Sequence, residues 1–285
     1  MADLRIATRG SDLARAQARW VAARLEDANP GLETSLVEVP TTGDRDRVTP
    51  VATLTEVGAF VRAVQRAVLD GSADIAVHSC KDLPVEGPDD LMSFYPERES
   101  PWDVLCGHDP ETLPPGAKIG TGSPRRAAQL KALRPDLIVA DIRGNVDTRL
   151  ERMHRGDYDA VVLAEAGLRR LGLAGEIDHR FTIGEMVPAP AQGALAVEGR
   201  EGDPLIGLLE RIDDPSTRLA VETERALLED TRAGCRSALG ALAEVEPMTI
   251  RFTGFVADED GARSAVALGS DSQSAARSLR EKLDL

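Results

Sequence analysis

The sequence predicts an α/β fold: two α/β domains in succession, then a small α+β domain. Three observations carry the prediction. Short apolar runs of strand length alternate with helical patterns twice, over residues 4–95 and again over 118–171. Such alternation implies parallel strands joined by crossover helices. The connectors Pro96-Glu97-Arg98-Glu99-Ser100-Pro101 and Met186-Val187-Pro188-Ala189-Pro190-Ala191-Gln192-Gly193 are proline-punctuated and bound the second alternation. From about Asp213 the pattern changes to one long helix, three β-like segments and a last helix.

In chain order, Leu4 to Thr8 is the first strand. Arg9-Gly10-Ser11 is a turn in which Ser11 can cap the next helix. That helix carries Leu13, Trp20, Val21 and Leu25 on one side and stops at Asn29-Pro30-Gly31. Thr34 to Val39 is the next strand. Arg9 and Ser11 stand beside a helix N-terminus, a place that favours anions. Residues 41–51 are polar and read as a loop; Phe60, Val61, Val64, Ala67 and Val68 then mark a helix ending at Gly71. Ile75 to Val77 is a buried strand that opens into His78-Ser79-Cys80-Lys81-Asp82 before Pro84. An imidazole, a hydroxyl, a thiol, an ammonium and a carboxylate thus meet at the carboxyl end of a strand, where open α/β sheets bind ligands. Leu91 to Tyr95 is a further strand.

The second alternation starts at Lys118-Ile119-Gly120-Thr121-Gly122. Ser123 followed by Pro124 is a helix start, serine at the cap and proline at the first helical position. Arg125 and Arg126 in that first turn oppose the helix macrodipole unless an anion sits there. Leu137 to Ile142 is a strand opening into Arg143-Gly144-Asn145, and the helix from about Val146 carries Arg149. Asp159 to Leu163 is the next strand, and the helix after it carries Arg170. Ser123, Arg125, Arg126, Arg143, Arg149 and Arg170 therefore gather at successive strand ends of a chain whose net charge is −14. Each bidentate arginine–carboxylate contact is worth roughly 1.5–3 kcal/mol. The expected ligand bears several carboxylates or phosphates. Neither a phosphate-loop lysine motif nor GxGxxG is present, which argues against a nucleotide.

The totals narrow the classes. At 42% apolar and 29% charged, the chain of 285 residues is an ordinary globular one. Its acidity argues against nucleic acid as a partner, because that binding rests on neutralising phosphates. No apolar run approaches the roughly 18 residues of a membrane span. Met1-Ala2-Asp3-Leu4-Arg5-Ile6 enters a strand pattern without a basic-then-apolar leader, so a cytoplasmic location is expected. Cys80, Cys106 and Cys235 form neither a disulfide framework nor a zinc spacing, and no metal is expected. We expect a monomer whose partner is a small molecule.

The motifs taken together resemble those of one family, the porphobilinogen deaminases or hydroxymethylbilane synthases. They are Arg5-Ile-Ala-Thr-Arg9 with Ser11, Asp74-Ile-Ala-Val-His-Ser-Cys-Lys-Asp-Leu-Pro84, Gly120-Thr-Gly-Ser-Pro-Arg-Arg126, Arg143-Gly-Asn-Val-Asp-Thr-Arg149, Ala189-Pro-Ala-Gln-Gly-Ala194, and Gly234-Cys235 with Gly240. They span nearly the whole chain. The resemblance implies two α/β domains of the periplasmic-binding-protein kind and a small α+β third domain. On that basis residues 1–95 with 194–212 form a discontinuous first domain, 99–188 the second, and 213–285 the third. It implies a transferase of tetrapyrrole biosynthesis that condenses four porphobilinogen molecules head to tail with loss of ammonia. A dipyrromethane cofactor would be attached to Cys235 by a thioether. Lys81, Ser123, Arg125, Arg126 and Gly144 would contact that cofactor. Arg9, Ser11, Arg143, Arg149, Arg170 and Gln192 would bind substrate carboxylates, and Asp82 would be the catalytic carboxylate.

This chain departs from the family pattern at several places. Thr53-Leu-Thr-Glu-Val57 stands where a lysine-bearing glycine loop is usual, Gly122 where serine is common, and Ala238 where proline is common. Two rival readings are a non-catalytic two-lobed anion-binding protein and a hydrolase using Cys80 with His78. The fold alone does not separate them.

The charge balance generates a prediction of its own. The lysines are Lys81, Lys118, Lys131 and Lys282, and every other cation is arginine. An acidic, lysine-poor surface suits a high-salt cytoplasm, where screening weakens self-repulsion. Activity and thermal midpoint should both rise between dilute and molar KCl; full stability in dilute buffer would count against a halophilic source.

Overall fold

A computed structural model of the chain describes residues 3–40, 59–231, 238–259 and 261–285. The first half of the chain forms β1 (Asp3–Arg9), α1 (Asp12–Ala28), β2 (Glu33–Val39), α2 (Ala59–Leu69), β3 (Ile75–Ser79), β4 (Leu91–Phe94), β5 (Asp103–Cys106), β6 (Lys118–Gly120) and α3 (Pro124–Leu133). There follow β7 (Ile138–Ala140), α4 (Val146–His154), β8 (Ala160–Ala164), α5 (Glu165–Arg170), β9 (His179–Arg180), β10 (Leu195–Arg200) and α6 (Ile206–Leu209). The rest is α7 (Pro215–Thr231), β11 (Ala238–Glu246), β12 (Thr249–Asp258), β13 (Gly261–Gly269) and α8 (Ser272–Leu283). By packing, the chain divides into two units, Met1–Arg98 with Ala194–Arg218, and Glu99–Gly193 with Leu219–Leu285.

The first unit holds a sheet of order β2-β1-β3-β10-β4. β1 runs parallel to β2 and β3, while β10 lies antiparallel between β3 and β4. A strand from after the second alternation is thus needed to complete this sheet. Strand side chains alternate faces. Leu4, Ile6 and Ile75 pack with Val21 and Leu25 of α1, while Ala7 and Ala76 meet Val64 and Val68 of α2. Beneath α2 lies a polar island, in which Gln65 Nε2 donates to both oxygens of Glu198 at 3.1 and 3.0 Å. His78 Nε2 lies 3.0 Å from the same carboxylate.

The second unit holds a sheet of order β7-β6-β8-β5-β9 and a three-stranded sheet of order β11-β12-β13. β6 is parallel to β7 and β8, and β5 is antiparallel to β8 and β9. The small sheet is antiparallel throughout. Phe252, Ala267 and Leu227 of α7 share its core with Ala275, Leu279 and Leu283 of α8. The expected fold class, two α/β sheets and a small α+β layer, is what the described residues form. Periodicity does not announce β5 or β9. Four and two residues long, they are too short for a period to show, and β5 follows directly on a proline-bounded connector. Among the described residues no helix is long and apolar enough to cross a membrane.

Gly193 carries a packing constraint. Its φ is +89°, and a Cβ there would run into the carbonyl oxygens of Glu99 and Ser100. Gly175, by contrast, faces open space. Gly193→Ala should cost at least about 2 kcal/mol in denaturant unfolding, while Gly175→Ala should shift stability by under about 0.5 kcal/mol.

Candidate active site

β1 and β3 are neighbouring parallel strands, so their carboxyl ends open at one edge of the first unit. β1 ends at Arg9, whose guanidinium carbon lies 4.4 Å from the centroid of Phe60, a cation–π contact. Ser11 caps α1, its Oγ accepting the N–H of Ala14 at 3.3 Å. As an acceptor in that bond, the hydroxyl keeps its own proton for donation. β3 ends at Ser79, whose Oγ accepts from Gln17 Nε2 at 2.8 Å.

Cys80–Asp82 then form a single 3₁₀ turn. Successive residues of so tight a turn point in different directions. Cys80 is wholly buried, Lys81 half-buried and Asp82 exposed. The thiol therefore packs in the core and the carboxylate meets solvent. This removes the nucleophile from the hydrolase reading, and its partner His78 is buried against Glu198.

In the second unit three neighbouring parallel strands, β7, β6 and β8, end at the same edge. After β6, Ser123 caps α3 and its Oγ accepts the N–H of Arg126 at 3.4 Å. Arg125 and Arg126 are both buried. The anion that the first turn requires is part of the chain: it is Asp103, the first residue of β5, opposite Ala164 at the end of β8. Arg125 reaches Asp103 Oδ2 through Nη1 at 2.7 Å and Oδ1 through Nη2 at 3.3 Å. Arg126 donates to Oδ1 from Nε at 2.8 Å and pairs with it through Nη2 at 2.7 Å. Burial alone would raise the Asp103 carboxyl, but the two guanidiniums hold it well below the ordinary carboxylate range. The helix-dipole argument by itself therefore does not require an external anion at this turn.

Gln192 joins the same cluster. Its Nε2 donates to Pro101 O at 2.8 Å and to Asp103 Oδ1 at 3.1 Å, which uses both amide hydrogens. After β7, Arg143 Nε donates to Asp141 at 3.2 Å, and Arg149 Nε donates to Gly144 O at 2.8 Å. Gly144 has φ +109°, which suits glycine at that turn. After β8, Arg170 Nη2 donates to Gly193 O at 2.7 Å. Burial pushes the Arg170 guanidinium down to about 10, against an opposing pull from Glu99. The structure brings Ser123, Arg125, Arg126 and Gln192 together around Asp103, and Gly144 together with Arg149.

Two buried acids escape sequence reasoning. Asp103 lies in the unannounced strand, and the only local signal is the short apolar run Val104-Leu105-Cys106 beside it. Glu224 of α7 accepts the N–H of Ala191 at 2.5 Å and of Ala243 at 2.9 Å. It thereby ties the residue before Gln192 to the small sheet. Cys235 and Thr53–Val57 lie outside the described residues.

Arginines gathered at the ends of parallel strands define a class: an α/β protein whose strand-end edges are suited to a ligand. Residues 4–207 match the family model for the porphobilinogen deaminase dipyromethane cofactor binding domain, and 218–283 that for the porphobilinogen deaminase C-terminal domain. The porphobilinogen deaminase of Thermus thermophilus is 47% identical over 262 residues, covering 90% of this chain and 85% of that one. That of Acidothermus cellulolyticus is 45% identical over 267 residues, covering 90% and 80%. Among solved structures, substrate binding domain 2 of Lactococcus lactis GlnP, in an open conformation, is 14% identical with a TM-score of 0.46, over 81% of this chain and 91% of that one. The chain belongs to the porphobilinogen deaminase family, the hydroxymethylbilane synthase transferases.

The residues present suit a dipyrromethane. Arg170 is desolvated with a main-chain carbonyl as its hydrogen-bond partner, and the Asp103 cluster sets two guanidiniums against one carboxylate. Both arrangements suit the carboxylates such a cofactor carries. The described cysteines, in contrast, are chemically quiet. Cys80 is wholly buried, and burial with help from Asp178 and Glu176 pushes the Cys106 thiol up to about 12. A thiol-specific chromogenic reagent at pH 8 should label neither until the protein is denatured; fast labelling of either in the native protein would contradict this burial.

Proposed function

We propose that the chain condenses four porphobilinogen molecules head to tail, releasing ammonia at each addition, and frees the product as hydroxymethylbilane. The observation that carries this reading is the exposed Asp82 carboxylate at the end of β3, beside the end of β1 that bears Arg9 and Ser11. Porphobilinogen carries an acetate and a propionate. Arg9, Arg143, Arg149 and Arg170 supply cations for them, and Ser11 an O–H donor. Lys81 of the first unit and Ser123, Arg125, Arg126 and Gly144 of the second are the residues that contact the cofactor. Gln192 serves this site through Asp103. Bound through a thioether at Cys235, the dipyrromethane supplies the pyrrole terminus to which the first unit is added.

Asp82 has the central chemical role. Loss of ammonia from the aminomethyl group leaves positive charge spread over the substrate pyrrole. A carboxylate near the pyrrole N–H stabilises that charge and accepts the proton released on coupling. In the same reading residues 1–95 with 194–212, 99–188 and 213–285 are the three domains. The enzyme works as a monomer in a saline cytoplasm, with no nucleic-acid or membrane partner.

Asp82→Asn keeps the shape and removes the charge. Turnover should fall by about 10²–10³-fold, while intact mass still shows the cofactor. Near wild-type turnover would sink the role of Asp82. Wild-type protein from a porphobilinogen-competent host should exceed its bare sequence mass by one dipyrromethane; a bare mass would refute the thioether.

A further inference from the structure

Asp103 is wholly buried, and it is the acidic group that Arg125 and Arg126 share. The two arginines are only 3% and 6% exposed. Among the described residues their other hydrogen bonds go to main-chain carbonyls: Arg125 Nη1 donates to Val187 O at 2.7 Å and Arg126 Nη1 to Val162 O at 2.8 Å. The amide of Gln192 on Asp103 Oδ1 is neutral as well. One carboxylate against two guanidiniums leaves one positive charge on this cluster. An unbalanced buried charge is costly, and an arrangement that keeps one is suited to a counter-charge arriving with a ligand.

We propose that Asp103 is the positioning residue that sets this balance: it cancels one guanidinium charge, fixes both side chains, and leaves one positive charge for a ligand carboxylate. Without Asp103 the pair would carry two charges and lose the anchor that orients both planes. With glutamate in place of Gln192 the cluster would be neutral and would lose its net attraction for a ligand carboxylate. The identity of the ligand as a carboxylated pyrrole rests on the function proposed above; the charge balance rests on the geometry alone.

The test compares wild type, Asp103→Asn, Arg125→Gln and the double variant, all made in a porphobilinogen-competent host. Net cluster charge is then +1, +2, 0 and +1 in turn. Intact mass gives the fraction carrying dipyrromethane, steady-state kinetics separate KM from kcat, and circular dichroism reports folding. Each single variant should lower the loaded fraction, or raise KM where loading occurs, by about tenfold. The double variant should recover at least about threefold of the loss seen in Asp103→Asn. A merely structural aspartate gives additive losses, with the double worse than either single; that result overturns the proposal. So does a double variant that fails to fold, or Asp103→Asn with wild-type loading and KM. An unloaded, inactive wild type would instead refute the function reading, and the ligand assigned to the cluster with it.

Discussion

The second unit depends on one buried carboxylate. Asp103 accepts from two guanidiniums and an amide while fully shielded from water. Through those donors it fastens the first turn of α3, the start of β5 and the connector that ends at Gly193. Arg125 and Arg126 extend the network to Val187 O and Val162 O, so that connector and central strand are held by the same two side chains. Breaking such a set by removing one partner costs about 3–5 kcal/mol, because the other charges stay buried. The interaction is thus the brace of the strand-end edge of this unit.

The first unit solves its edge differently. A single 3₁₀ turn sends Cys80 inward and Asp82 outward, and the N–H of Cys80 is anchored on Ala194 O at 3.0 Å. Below it, Glu198 collects Gln65 and His78 in the layer under α2. That polar island lies among alanines and valines, where an unsatisfied group would be expensive. An acidic chain thereby presents an exposed carboxylate at the strand-end edge of one unit and buried arginines at that of the other.

Much of this was legible beforehand. Ser11 and Ser123 cap helices as their neighbours Gly10 and Pro124 suggest, since capping depends on a few local atoms. The strands around Ile6, Ile75, Ile119 and Val161 are legible because burial on both faces demands continuous apolar runs. The strand Asp103–Cys106 was not legible, and Asp103 went with it. Its pairing partner Ala164 lies 61 residues away by the register of β5 and β8, and no local pattern encodes so distant a match.

The amino-acid sequence by itself determined the alternation of strands and helices, the helix caps, the concentration of arginines at strand ends and the family. These follow from periodicity, from short-range hydrogen bonding and from motif order. Only the tertiary structure decided which charges meet. It supplied Asp103 as the anion for Arg125 and Arg126, committed the amide of Gln192 to that carboxylate, and turned Cys80 inward and Asp82 outward. The physical reason is distance along the chain. Electrostatic partners are chosen by which strands lie side by side, and strand order is settled by packing rather than by neighbours in sequence.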